Sequence, residues 1–143
     1  MNKIRGKIAN ITKNGSVALV KLNALNLNAN DSGAKLNSSA ELTALVLDFN
    51  DNLSLGAECN AIFKESEVMI ALLDSRVSAR NCFKARITEI ECDEIFGRIF
   101  LDFDGQIITA LITKEACEAL NLKVGDEILW FVKSNEVALE FGV

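Results

Sequence analysis

The chain repeats itself, and the repeat constrains the fold more than any single motif. Residues 2–11 line up with residues 81–90 at an offset of 79, which holds out to Leu22 and Leu101. The run Leu42-Thr43-Ala44-Leu45 then matches Ile108-Thr109-Ala110-Leu111 at an offset of 66. Residues 52–58 match 121–127 at an offset of 69, and residues 64–68 match 133–137 at the same value. The fall from 79 to 66 means that the first half carries 13 extra residues after its second apolar run. The rise from 66 to 69 means that it lacks three residues further on. A unit of roughly 65–70 residues is one small assembly, marginal by itself, so two such units must pack on each other or on further chains.

Within each unit the apolar residues alternate over short runs, the period of a half-buried strand. In the first half, strands are predicted over 4–11, 17–22, 41–47, 59–63 and 68–72. In the second they are predicted over 83–90, 96–103, 106–112, 127–132 and 137–141. Asn14-Gly15 and Asp104-Gly105 are hairpin turns, because both residue types accept the positive φ that a two-residue turn demands. Thr113 is an N-cap for a helix over 114–120, with Ala116, Cys117 and Leu120 on one face and Asn121 closing it. Residues 48–52 allow one helical turn at most. Residues 23–40, rich in Asn, Ser, Ala and Gly, read as an extended hairpin. Five strands with one short helix per unit predict an all-β protein. It consists of two tandem OB-like five-stranded Greek-key small barrels, each with a short helix, over 1–73 and 74–143. Trp130 and Phe131 alternate along a strand, so one belongs to the core and the other to an interface.

Composition removes several functions. The 143 residues include no histidine, so triads and imidazole acid–base chemistry are excluded. No nucleophile–base pair or phosphate-binding glycine loop stands out, and no enzyme is expected. The four cysteines, Cys59, Cys82, Cys92 and Cys117, show no C-x-x-C spacing. They read as small core hydrophobes, with no metal site and no cofactor. Net charge is −5, which disfavours generic binding to nucleic-acid phosphate. A local cluster of donors can still hold an anion, because charge is screened beyond about 8–10 Å. No apolar stretch reaches membrane-spanning length, and residues 1–6 lead straight into a strand-like pattern without a leader. A cytoplasmic protein is expected.

One such cluster is Ser78-Ala79-Arg80-Asn81, directly before a predicted strand at the start of the second unit. A guanidinium in a linker is otherwise a solvated surface charge. Together with Ile108-Thr109-Ala110-x-Ile112-Thr113 before a helix, Leu122-x-x-Gly125, and Val132-Lys133-Ser134-x-x-Val137, it resembles the Mop or TOBE domain. That is the small barrel of molybdate- and tungstate-binding proteins. The resemblance covers residues 78–140 and reaches residues 2–72 through the repeat.

The resemblance implies an oxyanion site between barrels. It assigns Ser78, the Ala79 backbone N–H and Arg80 to one side and Lys133 and Ser134 to the other, with the helix start at Thr113 close by. Where the family commonly has a serine three residues after the threonine, this chain has Ala116. The chemistry suits a tetrahedral dianion. Arg80 offers a fork of two parallel N–H donors, Lys133 a point charge, and the two serines hydroxyls. The first unit begins at Met1-Asn2 without counterparts of Ser78 and Arg80, and its turn reads Lys64-Glu65, with a carboxylate where a donor would sit. The resemblance therefore implies a second unit that carries the donors and a first unit with a degenerate site. The implied function is a cytoplasmic molybdate or tungstate binder, for storage, homeostasis or sensing, whose sites form in a homo-oligomer, a trimer before a dimer. The alternative is a ligand-sensing or oligomerisation module of a molybdate-responsive transcription regulator or transporter. An OB-type nucleic-acid binder is a weaker alternative, since the chain is acidic and lacks tyrosine.

Overall fold

The computed structural model describes residues 1–26, 40–49 and 53–142. The central part of the predicted 23–40 hairpin extension and most of the 48–52 turn lie outside those residues. The described chain forms ten strands and one α-helix. The first half holds β1 (Asn2–Asn14), β2 (Val17–Ala24), β3 (Glu41–Leu47), β4 (Glu58–Phe63) and β5 (Met69–Ala71). The second holds β6 (Asn81–Cys92), β7 (Phe96–Phe103), β8 (Gln106–Thr113), α1 (Lys114–Ala119), β9 (Glu127–Val132) and β10 (Ala138–Glu140). A single 3₁₀ turn precedes each of the last strands, at Glu65–Glu67 and Ser134–Glu136.

The repeat is visible bond by bond. β1 and β6 each carry a bulge at equivalent places, between Ile8 and Asn10 and between Ile87 and Glu89. At each bulge a glycine turn closes on the same strand. Gly56 N–H donates to Ile8 O, and Gly125 N–H donates to Ile87 O, both at 2.8 Å. The bulge bends a long strand so that one half pairs with β2 or β7 and the other with β4 or β9, which curls the sheet. Gly6 sits at one such close approach. A Cβ there would meet Asn23 O at 2.5 Å, so only a bare Cα lets β1 pass β2. Both hairpins form; Asp104 at φ 51° and Gly105 at φ 84° turn the second, while the first turns one residue later than expected, at Gly15-Ser16, with Gly15 at φ 64° and Asn14 still paired with Val17. α1 has its Thr113 cap and ends in a Schellman closure. Asn121, at φ 52°, donates to Glu118 O, and Leu122 N–H donates to Cys117 O.

The two barrels are not consecutive in sequence. One sheet runs β10-β4-β1-β2-β3 and the other β5-β9-β6-β7-β8. Each has the expected five strands, but its fifth comes from the opposite half of the chain. Ala138–Glu140 pairs with Asn60–Ile62, and Met69–Ala71 pairs with Leu129–Phe131. A division at residues 73 and 74 therefore marks the midpoint of the repeat but not the boundary of either sheet. The physical reason lies in the short link between Ala71 and Asn81. It leaves the first unit's last strand beside the second unit's β9, so β5 need not fold back.

The exchange merges the two cores. Buried side chains of both sheets form one cluster, from Ile4, Val20 and Phe63 to Ile99, Ile108 and Trp130. Trp130 is fully buried and stacks on Phe63 of the first half, with centroids 5.7 Å apart and planes 11° apart. Phe83 and Phe103 complete its shell, each with its centroid 5.3 Å away. Trp130 is thus the core member of the Trp130–Phe131 pair, while Phe131 is half-buried.

Two reciprocal clamps join the barrels. The Asn2 side chain bridges Thr109, donating from Nδ2 to the carbonyl and accepting at Oδ1 from the N–H, both at 2.8 Å. Asn81, its repeat counterpart, does the same to Thr43, at 2.9 and 2.7 Å. Each buried amide thus satisfies one N–H and one C=O on the outer strand of the other barrel.

β10 is further held by Glu140, which accepts from Asn60 Nδ2 at 3.1 Å and from Lys3 Nζ at 3.3 Å. The hydrogen bond from Asn60, then that from Lys3, holds the Glu140 carboxyl below its ordinary value. A depressed folded-state value contributes stability above the unfolded value that is lost as pH falls through the folded one. Chemical-denaturant midpoints should therefore fall more steeply between about pH 5 and 3 in the native chain than in Glu140→Gln.

Candidate oxyanion site

β6 and β9 are neighbours, and their register pairs Asn81 with Val132. The residues just before β6 and just after β9 therefore emerge side by side. Ser78, Ala79 and Lys133 line one cavity of about 250 Å³, with Glu67, Met69, Val77, Phe131, Val132 and Glu136. The serine and the lysine are exposed, while Ala79 is buried. The two predicted segments thus lie side by side on one sheet within one chain. The physical reason is the antiparallel pairing itself, which sets the start of β6 against the end of β9.

Arg80 lies on the adjoining face. It lines a second cavity of about 450 Å³ with Ser75, Arg76, Val77, Ala79 and Cys82. Its guanidinium folds back on the linker, donating from Nη2 to Val77 O at 2.8 Å and from Nε to Ser78 O at 3.3 Å. Its field reaches Cys82, where burial pushes the thiol up and the Arg80 charge partly offsets that. Ser134 is half-buried, and its Oγ shares a short hydrogen bond with Thr43 Oγ1 of the first half. Thr43 Oγ1 also donates to Asn81 Oδ1 at 3.3 Å. Ser134 is thereby tied into the interbarrel clamp.

Thr113 and Ala116 are placed elsewhere. Thr113 ends β8 opposite Phe96, and its Oγ1 accepts from Ala116 N–H at 3.0 Å. Neither residue lines either cavity beside Arg80 and Lys133. The Ala116 N–H is engaged by the cap, so the first turn of α1 keeps the hydroxyl proton of Thr113 as its side-chain donor.

The carboxylates Glu67 and Glu136 were missed by sequence reasoning. They are repeat counterparts, and Glu67 reaches this cavity only because β5 crosses to the second sheet. The first half therefore supplies part of the wall. The equivalent of Ser134 is Glu65, whose carboxylate pairs instead with Arg98 Nε and with the Met1 ammonium, both at 3.5 Å. Cys59 and Cys117 are buried as expected, and burial pushes the Cys59 thiol up to about 11. Cys82 is half-buried and Cys92 is exposed at the end of β6, where the strand leaves the barrel, so the core reading fails for these two. Among the described residues no group of three or more His, Cys, Asp or Glu is placed to hold a metal ion, and no helix is long and apolar enough to cross a membrane.

Comparison with known proteins bears on the fold. The TOBE domain family model matches residues 77–139. The molybdenum-pterin-binding protein MopB of Rhodobacter capsulatus is 34% identical over 68 residues, which is 47% of this chain and 25% of that protein. The molybdenum transport protein ModE of Azotobacter vinelandii is 28% identical over 110 residues, 73% of this chain and 41% of that protein. The chain thus spans a quarter to two fifths of the length of these relatives. A crystal structure of the cytoplasmic molybdate-binding protein ModG, with molybdate bound, superimposes with a TM-score of 0.84 at 24% identity, covering 99% of this chain and 96% of that one. The shared architecture is the Mop-type pair of OB-like barrels.

Proposed function

Since residues 77–139 belong to the TOBE domain family, we propose that this chain is a non-enzymatic binding protein for a tetrahedral oxyanion, molybdate or tungstate. The observation that carries the reading is the convergence of Ser78, Ala79 and Lys133 on one cavity, with Arg80 on the adjoining face. On this reading Arg80 turns from the Val77 and Ser78 carbonyls to give the anion paired N–H donors. Lys133 supplies a second positive charge, and Ser78 and Ser134 supply hydroxyls.

A single chain also sets Glu67 and Glu136 around the same cavity. Two carboxylates against one lysine oppose a dianion, so a complete site needs further donors. A second copy of the chain supplies them in our reading, and the Thr113 hydroxyl, remote within one chain and capping Ala116 N–H, is a donor available on another. This favours sites at interfaces of a homo-oligomer, a trimer before a dimer, in the cytoplasm, with no cofactor. Either storage or sensing fits such a binder. The match to part of the molybdenum transport protein ModE favours, as a second reading, a ligand-sensing or oligomerisation module of a transport system that acts through a partner chain.

Titration calorimetry on oligomeric protein tests the proposal with molybdate, tungstate and sulfate. Heat with the first two, saturating at a stoichiometry tied to the oligomer, is the expected result; no heat with any of the three overturns it. Arg80→Ala should weaken binding roughly 10- to 100-fold, the worth of a charge-assisted hydrogen bond. Undiminished affinity in that variant would remove Arg80 from the site.

A further inference from the structure

We propose that Cys92 and Cys117 form a reversible disulfide across Gly97, tying α1 to the end of β6. Cys92 is the last residue of β6 and the cross-strand partner of Gly97. Cys117 lies on the buried face of α1. A Cβ built on Gly97 would stand 3.4 Å from Cys92 Sγ and 3.5 Å from Cys117 Cβ. The two side chains therefore converge on the space that a side chain at residue 97 would fill, and the glycine leaves that space open to them. The other cysteines show no such convergence: Cys59 lies on β4 of the first sheet and Cys82 near the start of β6, beside Arg80.

The pair is not a requirement of the fold. The repeat counterparts of Cys92 and Gly97 are Lys13 and Ala18, and the first barrel has the same strands without either cysteine. The two thiols also differ in access. Cys92 is exposed and opens onto a cleft of about 440 Å³ lined by Glu91, Cys92, Asp93, Phe96, Arg98 and Leu111. Cys117 is buried, and burial, then the neighbouring Cys92 sulfur, push its thiol above the ordinary value. Attack on an incoming reagent therefore falls to Cys92, and Cys117 resolves the product.

The oxidant is a small disulfide of the glutathione class. The Cys92 thiolate attacks one of its sulfurs, forming a mixed disulfide and releasing one small thiolate. The Cys117 sulfur then attacks Cys92 Sγ, the new S–S bond forms, and the second small thiolate leaves. The two protons lost by the cysteines are carried away on the two released thiols. The protein pair is oxidised by two electrons and the small disulfide is reduced by two. Because Cys117 is a residue of α1 (Lys114–Ala119), closure ties that helix to the end of β6.

The test uses the full chain, reduced and then exposed to excess oxidised glutathione. Non-reducing digestion and mass spectrometry should find a peptide joining Cys92 to Cys117, with a mass about two units below the sum of the reduced peptides. Thiol titration should fall from four groups to two. Cys92→Ser, at an exposed position, should keep its remaining thiols free under the same treatment. A glutathione adduct that persists on Cys92 with Cys117 free would overturn the proposal, as would a linkage between any other pair or no loss of thiols.

Discussion

Residues 74–143 expressed alone should yield no folded monomer, although they contain a whole repeat and the whole TOBE match. Three losses coincide on excision. β9 loses the β5 pairing through which Met69, Ile70 and Ala71 meet Phe131, Trp130 and Leu129. Trp130 loses the stacked Phe63 ring. β10, with buried Val137 just before it, loses the β4 edge on which it lies. A unit of this size has little stability to spare, since small domains bury a modest fraction of their surface. The fragment's own β10 can restore a fifth strand by crossing to the β9 of a second copy; folding back on its own β9 still leaves Trp130 without the Phe63 ring. Sedimentation velocity and circular dichroism at micromolar concentration should find either an unfolded chain or a strand-exchanged dimer. A folded monomer would show that the exchange is dispensable.

The reciprocal asparagines give the second large effect. Asn2→Ala and Asn81→Ala each leave a buried N–H and a buried C=O without their partner, on Thr109 and Thr43 respectively. At about 1–3 kcal/mol for each unsatisfied group, either variant should lose roughly 2–5 kcal/mol of stability in urea unfolding. Their effects on ligand should differ. Asn81 also accepts from Thr43 Oγ1, which is hydrogen-bonded to Ser134, whereas the position equivalent to Ser134 in the other barrel is Glu65, paired with Arg98. Asn81→Ala should therefore weaken oxyanion binding in calorimetry under folding conditions, and Asn2→Ala should leave it near the native value. Equal losses of affinity in the two variants would mean that Ser134 is not positioned through Asn81.

Much of the proposed donor set is legible in the sequence because it is local. Ser78, Ala79 and Arg80 precede a strand, Lys133 and Ser134 follow one, and motif spacing along the chain carries that information. Their adjacency on one sheet is not legible in the motif spacing, because the pairing of Asn81 with Val132 joins residues 51 positions apart. Glu67 was invisible for a stronger reason. It enters the cavity through the exchanged strand, and no local pattern distinguishes an exchanged strand from a retained one. Thr43 reads as an ordinary strand residue and Asn81 as the last of four motif residues before a strand, and neither position reveals that the two face each other.

The sequence by itself determined the number and kind of elements: apolar alternation for the strands, Asn-Gly and Asp-Gly for the hairpins, Thr113 and Asn121 for the ends of the helix, and the repeat for two like barrels. Only the tertiary structure decided which barrel each last strand completes. The repeat itself is the reason. β4 and β9 are copies of one strand and offer nearly the same edge, so β5 and β10 find equivalent hydrogen bonds on either. The choice falls to the short link before β6, to Trp130 meeting Phe63, and to two buried amides that reach across. These long-range contacts carry the first half of the chain into the wall of the second half's cavity.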